Sequence, residues 1–389
     1  MTAYDLLVVG GGVQGLWVAR AAVATGLSVA LVEAEHCGAG ASGGVLGALM
    51  PHVPTGWSEK KQFQLTALTD LEQQTRQLTS ETGLATGYMR CGRIMPIRAK
   101  GFLDQFESRR AASWRHWRTT SQRFELDLLA SDAFAGWLAP DAAQLGIFWD
   151  PLAARIDPER YMAALKASLE PHCDIHEGWT FADYDIKTRR VASSNGQADL
   201  TADRIVLAAG YQTFDLVQHL TSLELGVGVK GQAVVLAAEL PPNRPIIYDD
   251  GMYIVAHSDT HCAIGSTTEE VWTDPRSVDD GLAAKLAHAR RICPPLRDAP
   301  VIASWAGVRP QSAARDPIVG QLLPDCPIYI ASGGFKITLG IAHAAAQRLV
   351  DGIVHNREPI GLPASFAPAV HVATAQPQPA PHGPARTPE

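Results

Sequence analysis

The glycine-rich segment after the first apolar run, YDLLVV, carries the clearest chemical signal in the sequence. Gly10, Gly12 and Gly15 form a GxGxxG pattern, and an alanine-rich helical pattern follows. In a strand–turn–helix unit the first glycine permits a tight turn, the second lets the backbone approach a pyrophosphate, and the third allows close helix–strand packing. The helix N-terminus then presents unpaired N–H groups to the phosphates. We therefore expect a dinucleotide site that includes Gly10, Gly12, Val13, Gln14 and Gly15.

An acidic residue at the end of the next apolar run supports this interpretation. Glu33 lies eighteen residues beyond Gly15, where a carboxylate can bind a ribose 2′-hydroxyl and disfavours a 2′-phosphate. The GxGxxG spacing recurs at 38–43 and 226–231, but neither copy stands between a buried strand and a helix. The first copy is therefore the expected nucleotide site, with Glu33 at the ribose and Ala34 as a further cofactor contact, and NADP is disfavoured.

These residues need a parallel sheet to position them. Apolar, β-branched runs predict buried strands at 4–9, 27–33, 203–210 and 329–332. Helical patterns are found at 13–25, 59–82, 158–169 (with Asp157 as N-cap) and about 342–349, and as a helical pair across 101–130. Several short strands between 226 and 304 predict a separate antiparallel sheet.

Composition narrows the class of protein. The 389 residues suggest two domains, and 46% hydrophobic with 19% charged residues is an ordinary globular composition. The net charge of −7 gives no general attraction to nucleic acids or anionic membranes. The six cysteines lack metal-ligand spacing, and no run of about 18 apolar residues predicts a membrane span. We expect a cytoplasmic protein without a metal, in which His257, Asp259 and His261 belong to a turn between strands.

The order of several short motifs resembles the D-amino-acid-oxidase-like FAD oxidoreductases, particularly their glycine oxidase and sarcosine oxidase branch. From about residue 4 to 352 the motifs are YDLLVVGGGVQG, GASGG, the Ile156–Pro158 helix start, DRIVLAAG, VKGQ, YIV…IGSTTE, WAGVRP and SGGFK. The resemblance implies FAD as cofactor. It also implies an α/β plus α+β fold: a Rossmann-like FAD-binding domain with a discontinuous second domain built on a mostly antiparallel sheet.

We expect the domains to interleave along the chain. The predicted FAD-binding domain comprises 1–85, 150–212 and 303–360, and the predicted substrate-binding domain comprises 86–149 and 213–302. The segment 363–389 is rich in Pro and Ala and nearly free of apolar periodicity, which predicts a disordered tail.

Because FAD is long, its isoalloxazine ring must be held away from the first βαβ unit. The GASGG segment can cradle the pyrophosphate and ring edge with backbone amides. Gly333 and Gly334 precede the C-terminal helix, whose positive N-terminus could stabilise a reduced, anionic ring. The further expected cofactor contacts are Ala41, Ser42, Gly43, Gly44, Ala209, Gly210, Gly333, Gly334, Phe335, Lys336, Ile337 and Thr338.

The substrate residues follow from the resemblance and from the chemistry of flavin amine oxidation. The substrate Cα–H lies over flavin N5, a hydride leaves, and the imine hydrolyses in water, so the protein mainly orients the substrate. A bidentate arginine with a tyrosine hydroxyl is the natural clamp for a carboxylate. Arg309 of WAGVRP matches the family's carboxylate-binding arginine, Tyr253 its tyrosine partner, and Thr268 a side-chain-contacting position. Lys336 matches a carboxylate-binding lysine of the sarcosine oxidases.

The predicted function is therefore FAD-dependent oxidation of the C–N bond of a small amino acid or secondary amine, like glycine, sarcosine or a D-amino acid. Ala256–His257 stands where glycine oxidases usually carry Pro-Arg, which leaves the substrate open. No cysteine adjoins Arg309 as in covalently flavinylated sarcosine oxidases, so dissociable FAD is expected. His52, close to GASGG, could line the flavin pocket, but a satisfied loop histidine is favoured.

Parts of the sequence are also compatible with other functions. GASGGVLGALMP also resembles the oxidase half of the bifunctional tRNA methylaminomethyl-thiouridine enzyme, which removes a carboxymethyl group from a modified base. Seven residues could form a basic, aromatic binding face for that activity, although the negative net charge favours a plain surface helix there. They are Arg109, Arg110, Trp114, Arg115, Trp117, Arg118 and Arg123. The absence of a Gly-Asp dipeptide excludes the aromatic-hydroxylase type. A homo-oligomer, or a flavoprotein subunit of a larger dehydrogenase complex, stays open.

Overall fold

The computed structural model describes residues 3–242 and 244–375, which form two large sheets and a set of covering helices. The strands of this part of the chain are β1 (Ala3–Val9), β2 (Val29–Glu33), β3 (Ala48–Leu49), β4 (Arg93–Pro96), β5 (Asp127–Leu129), β6 (Ile147–Asp150), β7 (Ala154–Arg155), β8 (Asp174–Glu177), β9 (Phe181–Asp185), β10 (Arg190–Ser193), β11 (Leu200–Leu207), β12 (Gly226–Ala237), β13 (Ile246–Asp249), β14 (Met252–Ala256), β15 (His261–Gly265), β16 (Val301–Ser312), β17 (Ile318–Gln321) and β18 (Ile328–Ser332). The α-helices are α1 (Val13–Val23), α2 (Glu59–Thr82), α3 (Lys100–Leu103), α4 (Phe106–His116), α5 (Pro158–Leu169), α6 (Gln212–Thr221), α7 (Ala283–Ile292), α8 (Thr338–His355) and α9 (Pro368–Thr374).

The first sheet is parallel across most of its width. Its main order is β17, β18, β11, β1, β2 and β8, and each neighbouring pair is parallel except β17 with β18. Parallel strands are buried on both faces, which explains the near-continuous apolar runs. The four predicted buried strands are confirmed, with ends shifted by up to three residues.

The parallel strands bring distant segments to one edge of the sheet. Gly10 follows β1, Glu33 ends β2, Ala208 follows β11 and Gly333 follows β18. Ligands of doubly wound sheets bind at the carboxyl ends of the strands. Helices α1, α5 and α8 belong to the core beside this sheet, where the Trp17 indole donates to the Tyr161 hydroxyl at 2.6 Å.

The second sheet has the order β16, β12, β15, β14, β13, β4, β6 and β5. All its pairs are antiparallel except β13 with β4, so the prediction of a mostly antiparallel sheet is confirmed. Side chains alternate along a strand. Trp305, Gly307 and Arg309 of β16 therefore share one face.

The helical predictions hold with one exception. Helix α2 has the predicted bounds, and the Asp157 carboxylate accepts from the Arg160 N–H at 3.2 Å as the N-cap of α5. The helical pair across 101–130 is wrong beyond residue 116, because the chain turns and then forms β5. The Thr119 hydroxyl accepts from the backbone N–H of Gln122 at 3.0 Å, and such local bonds compete with helix formation.

The predicted disordered tail, 363–389, is wrong in its first part. A short 3-10 turn at Ala364–Phe366 leads to α9. Phe366 is fully buried, with its ring centroid 5.6 Å from that of Phe63. Pro368 and His371 are buried as well, so the segment packs on the core although its average composition suggests disorder. Residues 376–389 lie outside the described residues.

The predicted division into domains stays a prediction. Strand β16, most of which that division assigns to the FAD-binding domain, pairs with β12 along nearly its whole length in the second sheet. Within the described ranges, no helix combines the length and the hydropathy that crossing a bilayer requires.

Candidate functional site

A cavity of about 1450 Å³ lies where the carboxyl edge of the first sheet meets one face of the second. It collects most of the predicted site residues: Gly10, Gly12, Val13, Gln14, Glu33, Ala34, Ala41, Ser42, Gly44, Ala209, Gly210, Tyr253, Arg309, Gly333, Gly334, Phe335, Lys336, Ile337 and Thr338. Gly15, Gly43 and Thr268 lie outside its lining.

The turn after β1 requires glycine for steric reasons. Gly10 has a φ of +113°, in a region that side chains disfavour. A Cβ on Gly10 would lie 2.5 Å from the Ala208 carbonyl oxygen, and a Cβ on Gly15 would overlap the Gly10 carbonyl oxygen. Gly15 therefore brings α1 against the turn, which is consistent with its absence from the cavity wall.

The N-terminus of α1 faces the cavity with unpaired polar groups. Gly12 is its N-cap and supplies no side chain, while the Val13 N–H donates to Ser42 Oγ at 3.0 Å. The Gln14 side chain is only 6% exposed, and neither atom of its amide has a hydrogen-bond partner. A buried amide without a partner costs free energy unless a ligand pairs with it. This arrangement fits the pyrophosphate of a dinucleotide.

The Glu33 carboxylate is held in place at the end of β2. Its two oxygens accept from the backbone N–H groups of Gly11 at 2.7 Å and Glu35 at 3.0 Å. A carboxylate offers about four acceptor positions, so two remain for ribose hydroxyls in the cavity. The residues at this end of the cavity therefore fit the adenosine half of FAD.

Another part of the cavity wall is formed after β18. Gly333 has a φ of +77°, and the Ser332 hydroxyl donates to the Gly210 carbonyl at 2.8 Å. One 3-10 turn, Phe335–Ile337, then leads into α8, whose N-terminus has no side-chain cap. The positive end of the helix dipole suits an electron-rich edge of the isoalloxazine ring.

Arg309 brings an unpaired positive charge into the cavity. Its guanidinium lies beside Gly231, where a Cβ would overlap it, and Nη1 is 3.5 Å from the Thr267 carbonyl oxygen. It forms no ion pair with any residue that the structure describes. Glu269 acts on it electrostatically, but that carboxylate already accepts from Thr267 and Gln232. Burial lowers the pKa of Arg309 to about 10, so the guanidinium remains charged at neutral pH.

Lys336 adds a second cation close to the first. Its Nζ donates to the Thr268 hydroxyl at 3.2 Å. Thr268 does not line the cavity itself, but this bond holds the Lys336 side chain that does. Partial burial lowers the pKa of Lys336, and the charges of Arg309 and Lys285 lower it further. In the described chain neither Arg309 nor Lys336 has a carboxylate partner, so together they favour a bound anion.

Tyr253 supplies a neutral hydroxyl on the same sheet face. It stands on β14, and its ring centroid is 4.8 Å from that of Tyr248 on β13. Burial raises the pKa of Tyr253, although the charges of Arg93 and Arg309 oppose this effect. The hydroxyl forms no hydrogen bond within the described ranges and is available to a ligand.

The structure contradicts the expectation that His52 is a satisfied loop histidine. It lines the cavity, and its buried Nε2 has no hydrogen-bond partner. Burial lowers the pKa of His52 to about 4, and the charges of Lys60 and Lys61 act in the same direction. The imidazole is therefore neutral at physiological pH, with one ring nitrogen available to a ligand.

Trp305 is a cavity residue that the sequence reasoning missed. A Cβ on Gly44 would lie 3.0 Å from its indole, so Trp305 packs directly against the GASGG segment. The signal was present in WAGVRP, because alternation places Trp305 and Arg309 on one face. No comparable signal marks Tyr248 or Arg93, which reach the cavity through the pairing of distant strands.

Comparison with known proteins agrees with this geometry. Residues 5–348 match the family described as DAO, FAD dependent oxidoreductase. A glycine oxidase from Pseudomonas aeruginosa is 30% identical over 380 residues, covering 94% of this chain and 98% of the relative. The crystal structure of glycine oxidase from Geobacillus kaustophilus has a TM-score of 0.83 at 23% identity, covering 94% of this chain and 98% of its own. That of iminodiacetate oxidase from Chelativorans sp. has a TM-score of 0.79 at 22% identity, covering 93% and 98%.

These matches confirm the resemblance to glycine oxidases, the fold class, FAD as the cofactor and the prediction that the protein is an enzyme. The match spans nearly the whole described chain, including both sheets and the segments that meet at the cavity. The chain belongs to the DAO family of FAD-dependent oxidoreductases.

Proposed function

We propose that this enzyme oxidises the C–N bond of a small amino acid or secondary amine whose carboxylate is bound by Arg309. FAD-dependent oxidation of an amine or amino acid at this bond is the class of reaction that the glycine oxidase relatives support. The observation that carries the substrate assignment is the charged, unpaired guanidinium of Arg309 in the cavity beside a second cation, Lys336.

Three side chains can bind the substrate carboxylate together. The Arg309 guanidinium can donate two parallel N–H···O bonds, which set both the position and the plane of a carboxylate. The neutral Tyr253 hydroxyl can donate a third bond. Lys336, held by Thr268, adds positive charge at the edge of the site.

The same charges control the protonation of the substrate. Bound FAD supplies the acceptor for the hydride that leaves the substrate Cα. Only a neutral amine releases this hydride readily, and nearby cations lower the pKa of a bound amine. Arg309, Lys336 and the N-terminus of α8 all act in this direction. His52, neutral with a free Nε2 on the cavity wall, can form a hydrogen bond with a ligand and carries no charge at neutral pH.

The tRNA-base alternative is not favoured. In the segment proposed as its binding face, Trp117 is buried and Arg110 is paired with Glu125 at 2.8 Å. A small-molecule substrate agrees better with the relatives and with the net charge of −7. We retain cytoplasmic location as a proposal from the cysteine spacing, and oligomeric state stays open.

The proposal is tested by replacing Arg309 with leucine. Losing a buried, charge-assisted contact costs about 2–5 kcal/mol, so Arg309→Leu should lower kcat/KM for sarcosine or glycine by roughly 30- to 5000-fold. Most of the effect should be in KM, with the FAD content unchanged. Arg115→Leu, an exposed arginine outside the cavity, is the matched control and should behave as wild type. Wild-type kcat/KM in Arg309→Leu would remove the basis of the proposal.

A further inference from the structure

The cavity continues along the second sheet well beyond Arg309 and Tyr253. The strands next to β14 are β13, β4 and β6 in that order. Tyr253 pairs with Tyr248, and Met95 pairs with Phe148, and all four line the cavity. Neighbouring strands lie about 4.8 Å apart, so this face extends roughly 14 Å from Tyr253 to Phe148. A glycine or sarcosine molecule held at Arg309 reaches only the start of it.

The extension, here named the distal arm, is lined by apolar side chains: Met95, Ile97, Phe102, Trp117, Leu126 and Phe148. It touches two small hydrophobic clusters, one containing Trp117 and Leu126 and the other containing Ile97 and Phe148. An aliphatic or aromatic group in the distal arm would remove from water its own apolar surface and that of Phe102, which is 54% exposed, and this favours its binding.

The charges near the distal arm are largely compensated. Arg93 Nη2 donates to Asp150 Oδ2 at 2.7 Å, and Arg98 donates to both oxygens of Asp249, at 3.2 Å for the Nη1 bond. The remaining arginine in this part of the wall is Arg109, which is half-buried on α4. It donates to the uncharged side-chain amide of Gln105. An apolar substituent therefore suits the distal arm better than a second carboxylate does.

We propose that the preferred substrate carries, besides the carboxylate at Arg309, an apolar or aromatic substituent of about phenyl size that lies in the distal arm. This inference rests on the proposed function, because the carboxylate at Arg309 sets where the substituent begins. N-benzylglycine and D-phenylalanine represent the two positions from which the substituent can extend, the nitrogen and the Cα.

The first test is a comparison of kcat/KM for the holoenzyme with matched pairs of amines. N-benzylglycine is compared with sarcosine, D-phenylalanine with D-alanine, and iminodiacetate represents a second carboxylate. At least one aromatic amine should exceed its small counterpart about tenfold or more, as a filled apolar pocket implies. Small amines that are oxidised faster than both aromatic ones, or a preference for iminodiacetate, would overturn this inference and leave the proposed function standing. Failure of every amine would count against the proposed function.

Binding of acids that cannot be oxidised gives a readout independent of turnover. Calorimetry on the holoenzyme should show phenylacetate or 3-phenylpropionate binding about tenfold or more tightly than acetate. Equal affinities for the three acids would contradict the presence of an apolar subsite, whatever the kinetics show.

Two exposed aromatic residues on consecutive helices form a matched pair of variants. Phe102 and Trp114 are 54% and 52% exposed, and only Phe102 lines the cavity. Phe102→Ala should lower the ratio of kcat/KM for the aromatic amine to that for its small counterpart by about threefold or more, whereas Trp114→Ala should leave the ratio unchanged. Met95→Trp, which fills the distal arm, should lower the same ratio further. Equal ratios in all three variants and the wild type would overturn the placement in the distal arm.

Discussion

Gly231→Ala should displace the Arg309 guanidinium without changing its chemistry. The ideal Cβ on Gly231 would lie 2.0 Å from Arg309 Nη2, about 1.4 Å inside the 3.4 Å at which ordinary contact begins. The overlapped atoms are the end of a flexible side chain, so the guanidinium moves and the strand does not. A misplacement of about 1 Å at a positioning group costs on the order of a hundredfold in rate. We therefore expect kcat/KM for sarcosine to fall about a hundredfold.

Measuring Tm beside kcat/KM separates displacement of the guanidinium from a loss of protein stability. Gly231 has no positive φ, so alanine is compatible with the backbone of β12, and Tm should stay within about 3 °C of wild type. Gly101→Ala is the matched control, since a Cβ there meets nothing within 4 Å. A Gly231→Ala enzyme with normal Tm and normal kcat/KM would show that the position of the Arg309 guanidinium does not matter to the substrate.

Three further predictions concern the cofactor, pH and a helix cap. Glu33→Ala removes the acceptor of the Gly11 N–H and should raise the Kd for FAD roughly ten- to a hundredfold, measured by fluorescence titration of the apoprotein. Burial lowers the pKa of His343 from 6.5 to about 3, so the folded state binds fewer protons than the unfolded chain between these values. His343 should therefore make the free energy of unfolding fall by about 1.4 kcal/mol for each pH unit below 6.5. Urea unfolding at pH 7 and pH 5 should show a smaller fall for His343→Gln than for the wild type. Asp157→Ala removes the N-cap of α5 and should cost about 1 kcal/mol in thermal unfolding, whereas no loss would mean the cap is not needed.

The half of the candidate site proposed for the nucleotide could be indicated from sequence because its signals are local. Gly10, Gly15 and Glu33 belong to one βαβ unit, in which a short stretch of sequence contains both the strands and the turn between them. Sequence spacing did not distinguish glycines that face the cavity from those that permit close packing. Gly43 belongs to the second kind, because a Cβ there would overlap the Gly38 carbonyl oxygen.

In the half of the cavity proposed for the substrate, the sequence indicated residues only where a family motif marked them. Arg309 and Tyr253 lie in such motifs, and the structure brings both to one cavity. Met95 and Phe148 are adjacent in space because β4 pairs with β6, 53 residues apart along the chain at this point. Periodicity within either strand cannot report that pairing, so the size of the substrate site could not be read from the sequence.

The most direct test of the central claim is the anaerobic absorbance of the flavin after the enzyme is mixed with single amines. Glycine, sarcosine or another carboxylate-bearing amine should bleach the flavin and yield a 2-oxo acid together with the released amine or ammonia. Dimethylamine, which lacks the carboxylate that Arg309 binds, should bleach it far more slowly. The account would be contradicted if none of the carboxylate-bearing amines bleached the flavin, or if dimethylamine bleached it equally fast.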